Sequence, residues 1–138
     1  MTEKLDRLTR DYLAAVEDLI ANRKFGEGIF GMPDSARDSP VHTEYYAAVE
    51  SAVRELAGEV PDAQTAEALV RFLLTASSSY PGNTLSEWML VAIQTHALPL
   101  IAYLTPEARA ELSAWYNKAF PRLQRLPNQV KIGKALKK

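Results

Sequence analysis

Cysteine is absent from this chain, which removes a disulfide framework, a thiolate metal site and a cysteine nucleophile together. Acid is absent from its last 27 positions: Glu111 is the final carboxylate, and Lys118, Arg122, Arg125, Lys131, Lys134, Lys137 and Lys138 follow it unopposed. Before position 112 there are 17 Asp and Glu against nine Lys and Arg, a balance of −8, so the near-neutral total of −1 conceals a split. Charge divided in this way bears on partners, because faces of opposite sign steer association and faces of like sign repel.

Long hydrophobic runs are also missing. The most apolar stretch, Trp88 to Leu104, spans 17 residues and contains Gln94, Thr95, His96 and Pro99. A bilayer span needs about 20 apolar residues, so this stretch reads as a buried helix and no membrane span is expected. The first residues, MTEKLDRLTRDYL, are charged throughout and lack the apolar core of a secretory signal. A cytoplasmic protein is the default expectation. With 138 residues and 47% hydrophobic content, the chain is long enough for one helical domain over 1–138 to bury roughly two thirds of its unfolded surface without metal or disulfide support.

Period-two alternation is scarce, and helical periodicity fills the space. Leu5, Leu8, Tyr12, Val16, Leu19 and Ile20 share one stripe of a first helix ending near Gly26. Asp38-Ser39-Pro40 reads as a helix start, since a short polar side chain caps a free amide and proline tolerates the first turn. That helix should bury Tyr46, Val49, Val53 and Leu56 and stop at Gly58. Asp62 opens a third helix with core face Ala66, Leu69, Val70, Leu73 and Leu74. Ser77 to Gly82 is a break, and Thr84 with Glu87 has capping-box spacing. The helix that follows, Leu85 through Ala97, is apolar on every side from Trp88 to Ile93, which marks it for the centre of the fold. Pro99 should kink or end it. Thr105-Pro106-Glu107 restarts the chain with cap, proline and first-turn acid in the favoured order. Ala108, Leu112, Trp115 and Ala119 should form the buried face of a fifth helix up to Pro121, and Pro127 to Leu136 a short sixth.

The expected fold is therefore all-α, about six helices in antiparallel hairpins, as a HEAT-like short solenoid or an irregular orthogonal bundle. The solenoid alternative rests on a weak echo. Pro61-Asp62-Ala63 and Pro106-Glu107-Ala108 lie 44–45 residues apart, near the 40–47-residue unit of HEAT and armadillo repeats. Proline-acid-alanine is also simply good chemistry for a helix start.

Motifs for catalysis are few. Gly26-Glu27-Gly28-Ile29-Phe30-Gly31 matches G-x-G-x-x-G in letters, but the dinucleotide mechanism requires a strand before it and a helix opening at it. A helix precedes here, so the match is taken as accidental. The loop from Gly26 to Pro40 carries Ile29, Phe30 and Met32 among glycines. Those side chains either tuck into the core or meet a partner, as long loops often do. Of the two histidines, His42 is expected at the surface near a helix start and His96 as a hydrogen-bonded core group. Neither shows the nucleophile, paired carboxylates or ligand set that hydrolysis or metal binding requires. Trp88, Trp115, Tyr103 and Phe120 have core spacing. Tyr45, Tyr46, Tyr80 and Tyr116 are expected in part at the surface. No cofactor, metal or small-molecule substrate is inferred.

The basic C-terminal segment, 121–138, is expected to pack on the body or trail from it. Lys118, Arg122 and Arg125 recur at spacings that would align them if the chain stayed helical through Pro121, with Lys131 and Lys134 extending the charge. Leu123, Leu126, Val130, Ile132 and Leu136 supply an apolar side. The segment could dock its cations on the body's own acids, meet an acidic protein or anionic surface, or bind nucleic acid. Seven cations on phosphates would give a salt slope of up to roughly −6, from about −0.9 per phosphate. The acidic body would repel the same duplex, however, and no recognition-helix pattern appears. The sequence points to a small soluble helical protein-interaction module without catalysis, an adaptor or neutralising partner. Its contact residues would be Lys118, Arg122, Arg125, Lys131 and Lys134 with Ile29 and Phe30. A nucleic-acid-associated protein is the alternative, and an enzyme with a site near His42 the third reading.

Overall fold

The computed structural model describes residues 2–22, 40–75, 87–121 and 125–137, with side chains at 19–22, 87 and 88 outside that description. The expectations for Gly26 to Ser39, Ser77 to Thr84, Trp88, Arg122 and Leu123 therefore lie outside the described residues. All regular structure among the described residues is helical: α1 (Glu3–Asn22), α2 (Pro40–Ala57), α3 (Ala63–Thr75), α4 (Glu87–Gln94), α5 (Leu98–Ile101), α6 (Pro106–Ala119) and α7 (Pro127–Lys137). A 3₁₀ turn, Thr95–Ala97, joins α4 to α5. These three pieces run as one bent rod, so the helical rods number six among the described residues.

Local chemistry sets the ends of the rods. The Thr65 amide donates to Asp62 Oδ1 at 2.7 Å, and the Ala108 amide donates to Thr105 Oγ1 at 3.1 Å. Each bond satisfies one of the amides a helix start leaves open. Gly58 closes α2 with φ of +71°, its amide donating to the Arg54 carbonyl at 3.0 Å, the left-handed stop that glycine adopts without steric cost. At the start of α7 the Leu126 amide donates to Gln129 Oε1 at 2.9 Å. This is the returning half of a capping box, and it explains why Gln129 is buried.

Pro99 does not end its helix. It cannot donate to the Thr95 carbonyl, and the Leu98 amide takes that carbonyl instead. The chain tightens by one residue through Thr95–Ala97 and continues helical to Ile101, a short 3₁₀ segment absorbing the missing donor.

α4 lies at the centre, touching α2, α3 and α7, while α1 pairs with α2 and α6 with α7. Met89, Leu90, Val91 and Ile93 are all buried on it, as its unbroken apolar surface requires. α3 buries Ala66, Leu69, Val70, Leu73 and Leu74 as read from the sequence, and Phe72 as well. α7 sends Ile132 and Leu136 into the same core. Each fully buried leucine or isoleucine contributes roughly 1.5–3 kcal/mol from its removal from water.

The buried face of α6 is Ala108, Leu112 and Tyr116. Trp115 remains 37% exposed and leans edge-on against Phe120 at 6.1 Å, and Ala119 is exposed. Tyr116 is fully buried because its hydroxyl reaches Gln94 Oε1 of α4 at 3.0 Å, a partner that no local spacing could reveal. Tyr103 is likewise exposed, and Phe120 is half-buried. On α2, Val49 and Val53 are buried while Tyr46 and Leu56 are only half-buried, and Tyr45 takes the inner position.

Candidate functional site

Phe120 ends α6 in a non-helical conformation, φ −128° and ψ 85°, so the helix does not run through Pro121. Lys118 and Arg125 consequently do not share a helix face. Arg125 instead folds back along α6. Its Nε donates to the Phe120 carbonyl at 2.7 Å, a carbonyl left open by the helix end. One terminal nitrogen donates to Asn117 Oδ1 at 2.6 Å, and the guanidinium lies 5.1 Å from the centre of the Tyr116 ring, within cation–π range.

Gly133 makes this seat possible. A Cβ at that position would collide with the other terminal nitrogen of Arg125, so any larger residue would push the guanidinium from its present place between α6 and α7. Gly133 is thus the floor on which the arginine rests.

Around that guanidinium lies a groove of about 280 Å³, bordered by Ser113 and Asn117 of α6 and by Val130, Lys134 and Lys137 of α7. Positions 127, 130, 131, 134 and 137 fall on one side of α7 at 100° per residue, and the last four are exposed there. The inner side carries Gln129, Ile132 and Leu136. Lys131 thus extends the charge of Lys134 and Lys137 along one stripe, while Lys118 lies outside the residues bordering the groove.

Several acids of the body pair with its own cations. Lys4 pairs with Glu55 at 2.7 Å between α1 and α2. Arg71 bridges Glu67 at 3.0 Å and Glu111 at 3.3 Å, tying α3 to α6. Exposed pairs of this kind contribute less than about 1 kcal/mol each, but they occupy the carboxylates. Among the described residues, no ion pair joins Lys118, Lys131, Lys134 or Lys137 to a carboxylate.

The histidines divide differently from the sequence reading. His42 is buried, not superficial. Its Nδ1 shares a 2.7 Å hydrogen bond with the Tyr12 hydroxyl, and Tyr12 stacks on Tyr45 with ring centres 4.1 Å apart. The Tyr45 hydroxyl meets Thr9 at 2.9 Å. Burial pushes the Tyr12 phenol up to about 12 and raises that of Tyr45, so both phenols keep their protons in a polar seam between α1 and α2. His96 is the buried group expected, set against Tyr46 with ring centres 4.5 Å apart. Burial lowers its pKa below 6.5, partly countered by Glu50 and by a hydrogen bond to the Tyr46 backbone. Among the described residues no cluster of His, Cys, Asp and Glu could hold a metal ion, and no helix is long and apolar enough to cross a membrane.

No protein-family model, no curated protein and no solved structure matches this chain.

Proposed function

We propose that the protein is a small helical interaction module that works by binding, not by catalysis. Its contact surface is the α6–α7 groove, and the occupant is an acidic segment of another protein. The observation that carries this reading is the seated Arg125. Its guanidinium is held by neutral acceptors and an aromatic ring, not by a carboxylate. Lys134 and Lys137 stand beside it without ion-pair partners among the described residues. A preorganised arginine loses little entropy when it meets a carboxylate and can bind it bidentately. The flanking lysines raise the encounter rate with an acidic chain, and Val130 offers an apolar contact between the charges.

A fluorescent 16-residue Glu/Asp/Leu peptide, titrated by anisotropy against the whole protein, tests this directly. It should bind, weaken with added salt, and lose at least about tenfold in affinity, about 1.4 kcal/mol, in the double variant K134E/K137E. Arg125→Ala should weaken it comparably. Affinity unchanged in both variants would remove the groove from consideration. A labelled single-stranded oligonucleotide binding the same groove more tightly than the peptide would move the protein to the nucleic-acid alternative. Crosslinking from native cells then compares wild type with K134E/K137E, and the partner is the protein recovered by the first and lost by the second.

A further inference from the structure

A second and larger cleft opens where α2 meets the 3₁₀ turn and α5. Its volume is about 500 Å³, within the range of small-molecule sites. Tyr46, Glu50 and Arg54 of α2 border it on one side, Thr95 and His96 of the 3₁₀ turn form another, and Tyr103 stands beyond α5.

The polar groups of this cleft are biased toward acceptance. Thr95 Oγ1 donates to the Ala92 carbonyl at 2.7 Å. Its single proton is thereby used, so the Tyr46 hydroxyl, 3.3 Å away, must donate to it. The Tyr46 oxygen keeps its lone pairs free. His96 is only 7% exposed, and Glu50 Oε2 lies 3.8 Å from its Nδ1. That negative charge places the neutral ring's proton on Nδ1, which leaves Nε2 as an acceptor. Nε2 is buried and has no hydrogen-bond partner, a state that costs stability when nothing fills it. The charged groups bordering the cleft from α2 and the connection after it are Glu50, Arg54 and Glu59, a net of one negative charge. Arg54 is drawn to Glu50 Oε1 at 3.4 Å.

Arg54 is the one cation bordering the cleft and is paired with Glu50, so a net negative charge beside two tyrosine rings selects the ligand chemistry. We propose that this cleft binds a small organic amine with an apolar body, its ammonium meeting Glu50 and the Tyr46 oxygen beside the buried His96 ring and its apolar part lying between Tyr46, Tyr103 and Leu100. An ammonium gains from the tyrosine faces as well. This site is independent of the α6–α7 groove, and no reaction is assigned to it.

Three probes of matched shape separate charge from hydrophobicity: 2-phenylethylamine, 2-phenylethanol and 3-phenylpropionate, titrated into the ¹⁵N-labelled full chain. The amine should shift the amides of Tyr46, Thr95, His96 and Tyr103 and bind at least about tenfold more tightly than the carboxylate, about 1.4 kcal/mol. It should also move the ¹⁵Nε2 resonance of His96, which a purely structural histidine would not show. Glu50→Gln should lower amine affinity at least about fivefold while leaving phenylethanol unaffected, and His96→Gln serves as a second variant, with circular dichroism confirming that each remains helical. Equal affinity for all three probes, shifts elsewhere in the chain, or no shift at about 10 mM amine, a ligand concentration corresponding to less than about 3 kcal/mol of binding, would each overturn the proposal. A lost amine response with an intact acidic-peptide response would overturn this inference alone.

Discussion

Tyr116 shows how much a single side chain holds. Its ring fills the space beneath α6, faces the Arg125 guanidinium and meets Phe120 at 4.8 Å. Its hydroxyl is the donor to Gln94 Oε1, whose own amide nitrogen is buried without a partner. Removing that hydroxyl leaves Gln94 unsatisfied at both ends inside the protein. Tyr116→Phe should therefore destabilise the fold by about 1–3 kcal/mol, the penalty for stranding a buried acceptor, read as a lower denaturation midpoint with an unchanged slope. Trp115, one residue earlier and the larger ring, should tolerate truncation better because it is partly in water already.

The helices as elements are governed by their ends. α2 stops where Gly58 turns left-handed, and no atom lies within 4 Å of a Cβ built there. Gly58→Ala therefore meets no clash, and its whole cost is the backbone conformation, about 1–2 kcal/mol, offset in part by the lower entropy of the unfolded chain. A thermal midpoint unchanged from wild type would mean that α2 can end elsewhere. α7 is held differently, through Ile132 and Leu136 in the core and Gln129 at its cap. Its outer stripe of Lys131, Lys134 and Lys137 carries no such duty. Charge reversal there should change binding and salt dependence while leaving stability within about 0.5 kcal/mol, and this separation is what makes the groove experiment readable.

For the whole molecule, buried titratable groups bound the pH range of stability on both sides. On the alkaline side, burial holds the Tyr12 and Tyr116 phenols at about 12 against 10.0 in an ordinary setting. The unfolded chain loses those protons first, so the stabilisation present below pH 10.0 is lost as pH rises toward 12. Ultraviolet titration should show these two phenols ionising late, together with unfolding. On the acid side, the folded pKa of His96 lies below 6.5. Below pH 6.5 the unfolded chain takes up a proton that the folded one resists, so stability held above 6.5 declines as pH falls toward the folded pKa. The slope of thermal midpoint against pH between 7.5 and 5.5 should be shallower in His96→Gln than in wild type, and an identical slope would show that His96 does not contribute to it.

Read from the sequence alone, the all-helical character, the starts at Pro40, Asp62 and Thr105, the stop at Gly58, the face of α3 and the central place of α4 were already determined. Each rests on bonds within a few residues or on one unmistakable apolar pattern, and such chemistry is local. The choice of Tyr116 over Trp115 for the core, the burial of His42 and the seat of Arg125 beside Gly133 were decided only in three dimensions. Their partners are Gln94, Tyr12, Phe120 and Asn117, supplied by other elements or by a chain reversal, and a spacing rule cannot see a partner it does not contain. The split of charge is written along the chain, but which cations are left to meet another molecule depends on which carboxylates the folded helices have already occupied.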